Sequence, residues 1–349
     1  MKTKKHTHSI KGSLTLKNFK KGSKGCYNRK TRPQLSVVDS HLHLRPFGGP
    51  PIPFKQMLNI LRNSGVLFAE AEGIGQHLPI NSSCSYYLDC PHVNVIPSIK
   101  NDIANAQAVL DNDMDGVSLN LSMTFPDLAK PATILPQMKM LEKEFPGMFR
   151  WMGEVNLVKQ ALFNNGHKPV PIKAIKKWKP FMKELYKKGF PISIHSDLGN
   201  DTEHFKYLPL IEEVLRLYPN NIIVWMHLGL SKQLKTLSPE KHVELLDKIL
   251  SENPNLYFDI SWSVLYNQEF KDPKKRLPYV ELLNKWPKRF LPGTDFISAI
   301  KNNEKDYKKE LKLTSSIFKD VNDDAFRRIA LGQNYFDISK SKYVAPSIC

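Results

Sequence analysis

The stretch Ile222-Ile223-Val224-Trp225-Met226-His227 runs through five apolar residues and then stops at an imidazole. Five apolar residues in succession leave no polar face, so a strand here must be buried on both sides, like the strands of a parallel sheet covered by helices. Short runs of the same kind recur on either side at Leu35–His41, Val66–Ala71, Val93–Ile99, Gly116–Leu121, Arg150–Leu157, Pro191–His195, Leu256–Ile260 and Phe290–Asp295. Between them, apolar residues return at helical spacing over Pro53–Arg62, Ile103–Leu110, Ile134–Phe145, Ile172–Lys187, Leu208–Tyr218, Glu240–Ser251 and Leu277–Lys285. Gly65, Gly189 and Pro219 stop helices, and Ser238-Pro239-Glu240-Lys241 opens one with a capping serine before a proline. Repeated strand-then-helix units predict an α/β fold, a (β/α)8 TIM barrel. Nine strand candidates exceed eight places, so one of the first four is expected to be an excursion or a hairpin.

Composition narrows the class further. With 349 residues, 41% hydrophobic and 24% charged, the chain is neither disordered throughout nor fibrous. No apolar stretch is long enough to span a bilayer. Four cysteines without a Cys-x-x-Cys pair are too sparse for a disulfide scaffold, and reduced thiols are expected. The net charge of +17 is uneven, because eleven Lys and Arg residues precede the first acid, Asp39. Residues 1–33 therefore read as a basic N-terminal arm, disordered or loosely docked, without the apolar core of a secretory signal, and residues 34–349 as the barrel domain. Such an arm is a solvated tail, a contact for nucleic acid or anionic lipid, or an organellar import segment. The expected location is the cytoplasm, with import through the arm left open.

In a barrel of this kind the chemistry sits where strands end, which singles out the polar residues closing each run. The first run, Ser36-Val37-Val38-Asp39-Ser40-His41-Leu42-His43, ends in two histidines one residue apart. On a strand they share a face about 6.6 Å apart, so both imidazoles can close on one cation. His195, His227 and Asp295 end later runs, and Trp151-Met152-Gly153-Glu154 places a carboxylate at similar depth. Each alone is commonly structural. Together they bring many ionisable groups to one rim, and burying them there is costly unless a cation compensates. A divalent metal, zinc first and manganese or another ion second, is the expected cofactor.

The order His41-x-His43, Glu154, His195, His227, Asp295 resembles the metal-dependent amidohydrolase superfamily, in particular its amidohydrolase-related TIM-barrel hydrolases and decarboxylases, over most of residues 35–340. Asn255-Leu256-Tyr257-Phe258-Asp259-Ile260-Ser261 resembles that group's seventh strand, and Ile329-Ala330-Leu331-Gly332-Gln333-Asn334 its closing helix, although Gly332-Gln333-Asn334-Tyr335 departs from the usual Gly-Asn-Ala. The resemblance implies His41, His43, His195, His227 and Asp295 as metal ligands and Glu154 either as a carboxylate bridging two ions or, with one ion, as no ligand at all, His227 then only polarising the substrate. One or two ions are compatible with it, and the number of donors favours two.

The activity expected from these residues is hydrolysis of an amide, lactone or ester by ion-activated water. Asp295 acts as general base and acid, and His227 or His195 orients or stabilises the oxyanion. Alternatives are non-oxidative decarboxylation, a nuclease or phosphoesterase of the TatD type suggested by Gly153-Glu154, Ile194-His195-Ser196 and Thr294-Asp295, and a non-catalytic binding module. Arg45, Trp225 and Trp262 are weaker candidates for substrate contact. His77, His92, His167, His204 and His242 read as surface residues. A small-molecule substrate is the expected partner; nucleic acid through the arm is the lesser reading, and a homo-oligomer stays open.

Overall fold

Nine short strands form one parallel sheet in the computed structural model, which describes residues 8–79, 84 and 86–349. They are β1 (Val38–His43), β2 (Phe68–Glu72), β3 (Ser118–Met123), β4 (Phe149–Val158), β5 (Ile192–Ser196), β6 (Ile223–Trp225), β7 (Leu256–Asp259), β8 (Phe290–Leu291) and β9 (Phe296–Ile297). The neighbour order is β8-β7-β6-β5-β4-β3-β2-β1-β9. The two outermost strands belong to one segment: Phe290 and Leu291 pair with Phe258 and Asp259 of β7, while Phe296 and Ile297 pair with Leu42 and His43 of β1. The sheet thus curls until its ends share a strand, with the Ser40 N–H donating to the Pro292 carbonyl and the Asp295 N–H to the His41 carbonyl, each at 2.9 Å. The segment breaks in the middle because Pro292 has no N–H to give and Asp295 takes a left-handed φ of 57°. The result is a TIM-barrel-like α/β fold.

Helices alternate with these strands: α1 (Phe54–Asn63), α2 (Lys100–Leu110), α3 (Ile134–Glu144), α4 (Lys179–Lys188), α5 (Leu208–Leu217), α6 (Pro239–Glu252), α7 (Pro273–Lys285) and α8 (Glu304–Thr314). In α6 the buried His242, Leu246, Ile249 and Leu250 fall on one face, and Ser238 Oγ accepts the Lys241 N–H as the cap. The expected helix over 172–187 divides in two, because Pro180 lacks the N–H to continue one and fits the first turn of the next. The surplus strand candidate, Val93–Ile99, is the excursion: Ile96–Pro97 pairs antiparallel with Gln76–His77 outside the main sheet.

Two expectations are corrected. Residues 8–33 are not a disordered arm. Phe19 is fully buried with its ring 5.0 Å from that of Phe68 and 5.9 Å from that of Phe336. Cys26–Tyr27 pairs with Ser347–Ile348, and the Arg29 guanidinium bonds Asp323 and the carbonyl of Phe318. Average composition conceals this, since a few apolar residues placed over matching pockets suffice to order a polar segment. Residues 1–7 lie outside the described residues. The cysteines, expected as thiols, form disulfides between Cys26 and Cys349 and between Cys84 and Cys90. The first joins positions 323 residues apart, which spacing along the chain cannot reveal.

Phe19→Ala should therefore destabilise the whole chain by about 3–5 kcal/mol in denaturant unfolding, the usual cost of emptying a buried phenylalanine site. A change below about 1 kcal/mol, the level of ordinary surface substitutions, would mean that the segment is only loosely attached.

Candidate functional site

Side chains alternate across a strand, so His41 and His43 leave β1 on the same face. Their Nε2 atoms are 3.2 Å apart, and Asp295 Oδ1 lies 3.4 Å from the first and 3.2 Å from the second. Donors around a tetrahedral zinc with bonds of about 2.0–2.1 Å are separated by about 3.3–3.4 Å, so this triangle has the edge lengths of three zinc ligands. Around it stand Glu154 from β4, with Oε2 3.6 Å from His43 Nε2, His227 following β6, with Nε2 3.7 Å from Glu154 Oε1, and His195 from β5, in close contact with Glu154 through Nδ1. All six expected ligands thus meet at the ends of the strands.

Each imidazole is oriented by a bond from its far nitrogen. His43 Nδ1–H donates to the Gly73 carbonyl at 2.8 Å, and His41 Nδ1–H to Asp259 Oδ2 at 3.2 Å. His195 Nε2–H donates to Asp197 Oδ1 at 2.9 Å, and His227 Nδ1 lies 3.1 Å from Ser261 Oγ. Since carboxylates and carbonyls cannot donate, these bonds place a proton on the outer nitrogen of His41, His43 and His195 and turn the other nitrogen inward, where the neutral ring would offer its lone pair to a cation. His227 Nε2 is buried without any hydrogen-bond partner, as are both carboxyl oxygens of Glu72, which sits 3.5 Å from His41 Nε2. Inward-turned nitrogens, an orphaned imidazole nitrogen and carboxylates at ligand spacing fit a divalent cation.

The charges are tuned accordingly. Burial pushes Asp295 up, but the His41 charge, the bond to His43 and the nearby His227 outweigh it and hold its carboxyl well below the usual range. For Glu154, burial is likewise outweighed, first by the Lys159 ammonium and then by His195. Burial lifts Glu72 to about 7 against the opposing pull of His41 and His43.

The backbone around the ligands is equally specific. Past β6 the chain takes two left-handed residues, His227 and Leu228, at φ 54° and 55°, which is unfavourable for residues with a Cβ. The turn is held by the His227 N–H donating to Asp259 Oδ1 at 2.9 Å and by His242 Nε2–H donating to the Leu228 carbonyl at 2.9 Å. Asp39 ties the other side, accepting the Thr294 N–H at 2.9 Å, the Thr294 hydroxyl at 2.7 Å and the Tyr307 hydroxyl at 2.8 Å just before Asp295. Gly293 admits no side chain here: a Cβ would lie 2.8 Å from that of His41.

His242 was expected at the surface and is instead buried, as are His77 and His167. Burial depresses His242 to about 4. An unfolded histidine titrates near 6.5, so its contribution to stability is complete above that pH. It is lost as the pH falls from about 6.5 towards 4, by about 3 kcal/mol at 1.4 kcal/mol per unit. His242→Leu should flatten the stability profile over that window, measured by denaturant unfolding at stepped pH, and lower activity by loosening the His227 turn.

A cavity of about 410 Å³ opens over the ligands, lined by His43, His195 and Asp295 and walled by Phe47, Tyr87 and Trp262. Its size suits a small molecule. Trp262 is at this cavity, its ring 4.9 Å from that of His227. Trp225 is not: it is fully buried in the core, its indole N–H donating to the Ser196 carbonyl at 2.8 Å. Arg45 also turns away, its guanidinium bonding Asn105 Oδ1 and the Ala104 carbonyl of α2, each at 3.0 Å. It anchors a helix.

Sequence reading missed Lys159, Asp197, Asp259, Ser261 and Glu72 as neighbours of the centre, and Glu70 as a buried acid two residues before Glu72 on the same strand. For Asp259 and Ser261 a signal existed, since acid and hydroxyl are two residues apart at the end of an apolar run. The buried Glu70 and Glu72 alternate with Ala69 and Ala71 in the same manner. Lys159 has no such signature.

A family model described as Amidohydrolase matches residues 121–331. Among solved structures, the chain is similar to a dihydroorotase from Campylobacter jejuni at TM-score 0.53 and 13% identity, over 88% of this chain and 83% of that one. It is similar to an amidohydrolase from Burkholderia multivorans with bound zinc at TM-score 0.52 and 11% identity, over 88% and 99%. A D-hydantoinase from a Bacillus species aligns at TM-score 0.52 and 10% identity, over 90% and 74%. At these identities the likeness is one of fold. No curated protein sequence matches the chain.

Proposed function

This chain belongs to the amidohydrolase family and is a metal-dependent hydrolase, and we propose that it cleaves a C–N or C–O bond in an amide, lactone or ester, with Asp295 as the proton-transferring group. The observation that carries this reading is the placement of Asp295: its Oδ1 shares the ligand triangle with His41 and His43, and its side chain lines the cavity. His41, His43 and Asp295 would hold the ion, with His195, His227 and Glu154 in reach. When bound, a divalent ion, zinc in our reading, polarises a carbonyl oxygen and makes water nucleophilic near neutral pH.

The chain's own groups do the rest. Asp295 stays ionised, accepts a proton from the attacking water and returns it to the departing nitrogen or oxygen. The orphaned Nε2 of His227 would complete the donor set for the ion with His41 and Asp295. Trp262, Phe47 and Tyr87 wall the cavity and would pack on the apolar part of the substrate. In this reading the architecture is a (β/α)8 barrel, with β8 and β9 as two halves of the eighth strand.

A small-molecule substrate is favoured over nucleic acid by where the basic segment docks. Phe19 packs on Phe68, the first residue of β2, whereas the ligands cluster around its last residue, Glu72, roughly 13 Å further along the strand. The test is chelated protein, reloaded with zinc or manganese and assayed on lactones, amides, phosphoesters, carboxylated aromatics and single-stranded DNA. Ion-dependent opening of a lactone or amide is the expected result. Carbon dioxide release from an aromatic acid would move the assignment to decarboxylation, and full activity of chelated protein would end it.

A further inference from the structure

Directly after β4, Lys159 folds back over Glu154, its Nζ 2.9 Å from both carboxyl oxygens. The lysine is 8% exposed, and its side chain also lines the cavity beside His195. Glu154, His195 and His227 form the second group of donors here, with one atom from each within 4.8 Å of the others. By donor type and spacing alone, that group could take a second divalent ion alongside one held by His41, His43 and Asp295. We infer that it does not, because the Lys159 ammonium is the second cation: the centre takes one divalent ion, and Lys159 supplies the fixed positive charge on the far side of Glu154.

The physical reason is charge at short range. An ammonium at hydrogen-bond distance from both oxygens neutralises the one carboxylate of this donor group. A divalent ion entering between Glu154, His195 and His227 would then meet a positive charge across a single carboxylate, in surroundings from which water is largely excluded. Lysine suits the task because its stem is flexible enough to fold back from the end of the strand and its compact head satisfies two acceptors at once. Glu154 thus has a cation on its far side already, while its oxygens stand 3.6 Å from His43 Nε2 and 3.7 Å from His227 Nε2.

This inference rests on the metal-dependent reading above but fails separately from it. The experiment counts ions per chain by elemental analysis after saturation with zinc and gel filtration, with calorimetric titration as an independent count. One ion is expected in the unaltered protein and in Lys159→Arg, and two in Lys159→Met, where the carboxylate is left free to bind metal. Two ions in the unaltered protein would overturn the inference whatever the variants do, so it does not depend on Lys159→Met folding. One ion in a folded Lys159→Met would also overturn it, while leaving the hydrolase reading intact. No ion in any of them removes the metal-dependent reading and this inference together.

Discussion

Asp295→Asn is expected to lower kcat by roughly 10²–10⁴-fold, the range removed when a positioned general acid–base group is lost. The carboxamide has nearly the same shape, so the left-handed turn at Asp295, the bond from its N–H to the His41 carbonyl and the Thr294 clamp on Asp39 should all persist. It keeps an oxygen for the ion but cannot take a proton. Metal content should therefore stay near that of the unaltered protein while turnover collapses. Unchanged turnover, measured on whichever substrate the panel identifies, would remove Asp295 from the chemistry. Loss of the metal together with activity would instead make it a ligand first.

Asp259→Ala should weaken metal binding by about 10–100-fold, the usual cost of removing a group that orients ligands from behind. Asp259 is fully buried, and its carboxylate accepts from the His227 N–H at 2.9 Å and the Ser261 hydroxyl at 2.8 Å through Oδ1, and from His41 Nδ1 at 3.2 Å through Oδ2. Burial acts to raise its pKa, but the His41 charge and bond and the His227 contacts prevail and hold it ionised. Without it, His41 can present either tautomer to the ion, and the strained turn that carries His227 loses its anchor. Competition with a chelator of known affinity would report the change. Asp259→Asn, which keeps one acceptor, should fall between the two, and an alanine variant with unaltered affinity would show that the histidines orient themselves.

The two residues differ in how readable they are. Asp295 closes an apolar run and stands alone as an acid at a strand end, so periodicity and residue type suffice to select it. Asp259 also closes such a run, yet its role depends on what faces it from β1 and from the turn after β6, more than 200 and about 30 residues away along the chain. Arg45 and Trp225 fail for the converse reason. Both stand at the right distance from a ligand in sequence, but the long guanidinium reaches back to α2 and the indole finds its acceptor in the core.

The fold divides in the same way. Alternating strand and helix signals are local, because a buried parallel strand must be apolar on both faces and a covering helix on only one, so the class of fold and the six ligand candidates are written along the chain. Contacts between distant segments are not. The docking of Phe19, the Cys26–Cys349 disulfide, the sharing of segment 290–297 between β7 and β1 and the closing of Lys159 over Glu154 depend on which surfaces meet when the sheet curls. Residue type and spacing determined which groups this protein can offer a cation. Tertiary structure decided which of their nitrogens and oxygens face it, since the bonds that orient them come from strands that become neighbours only in the folded chain.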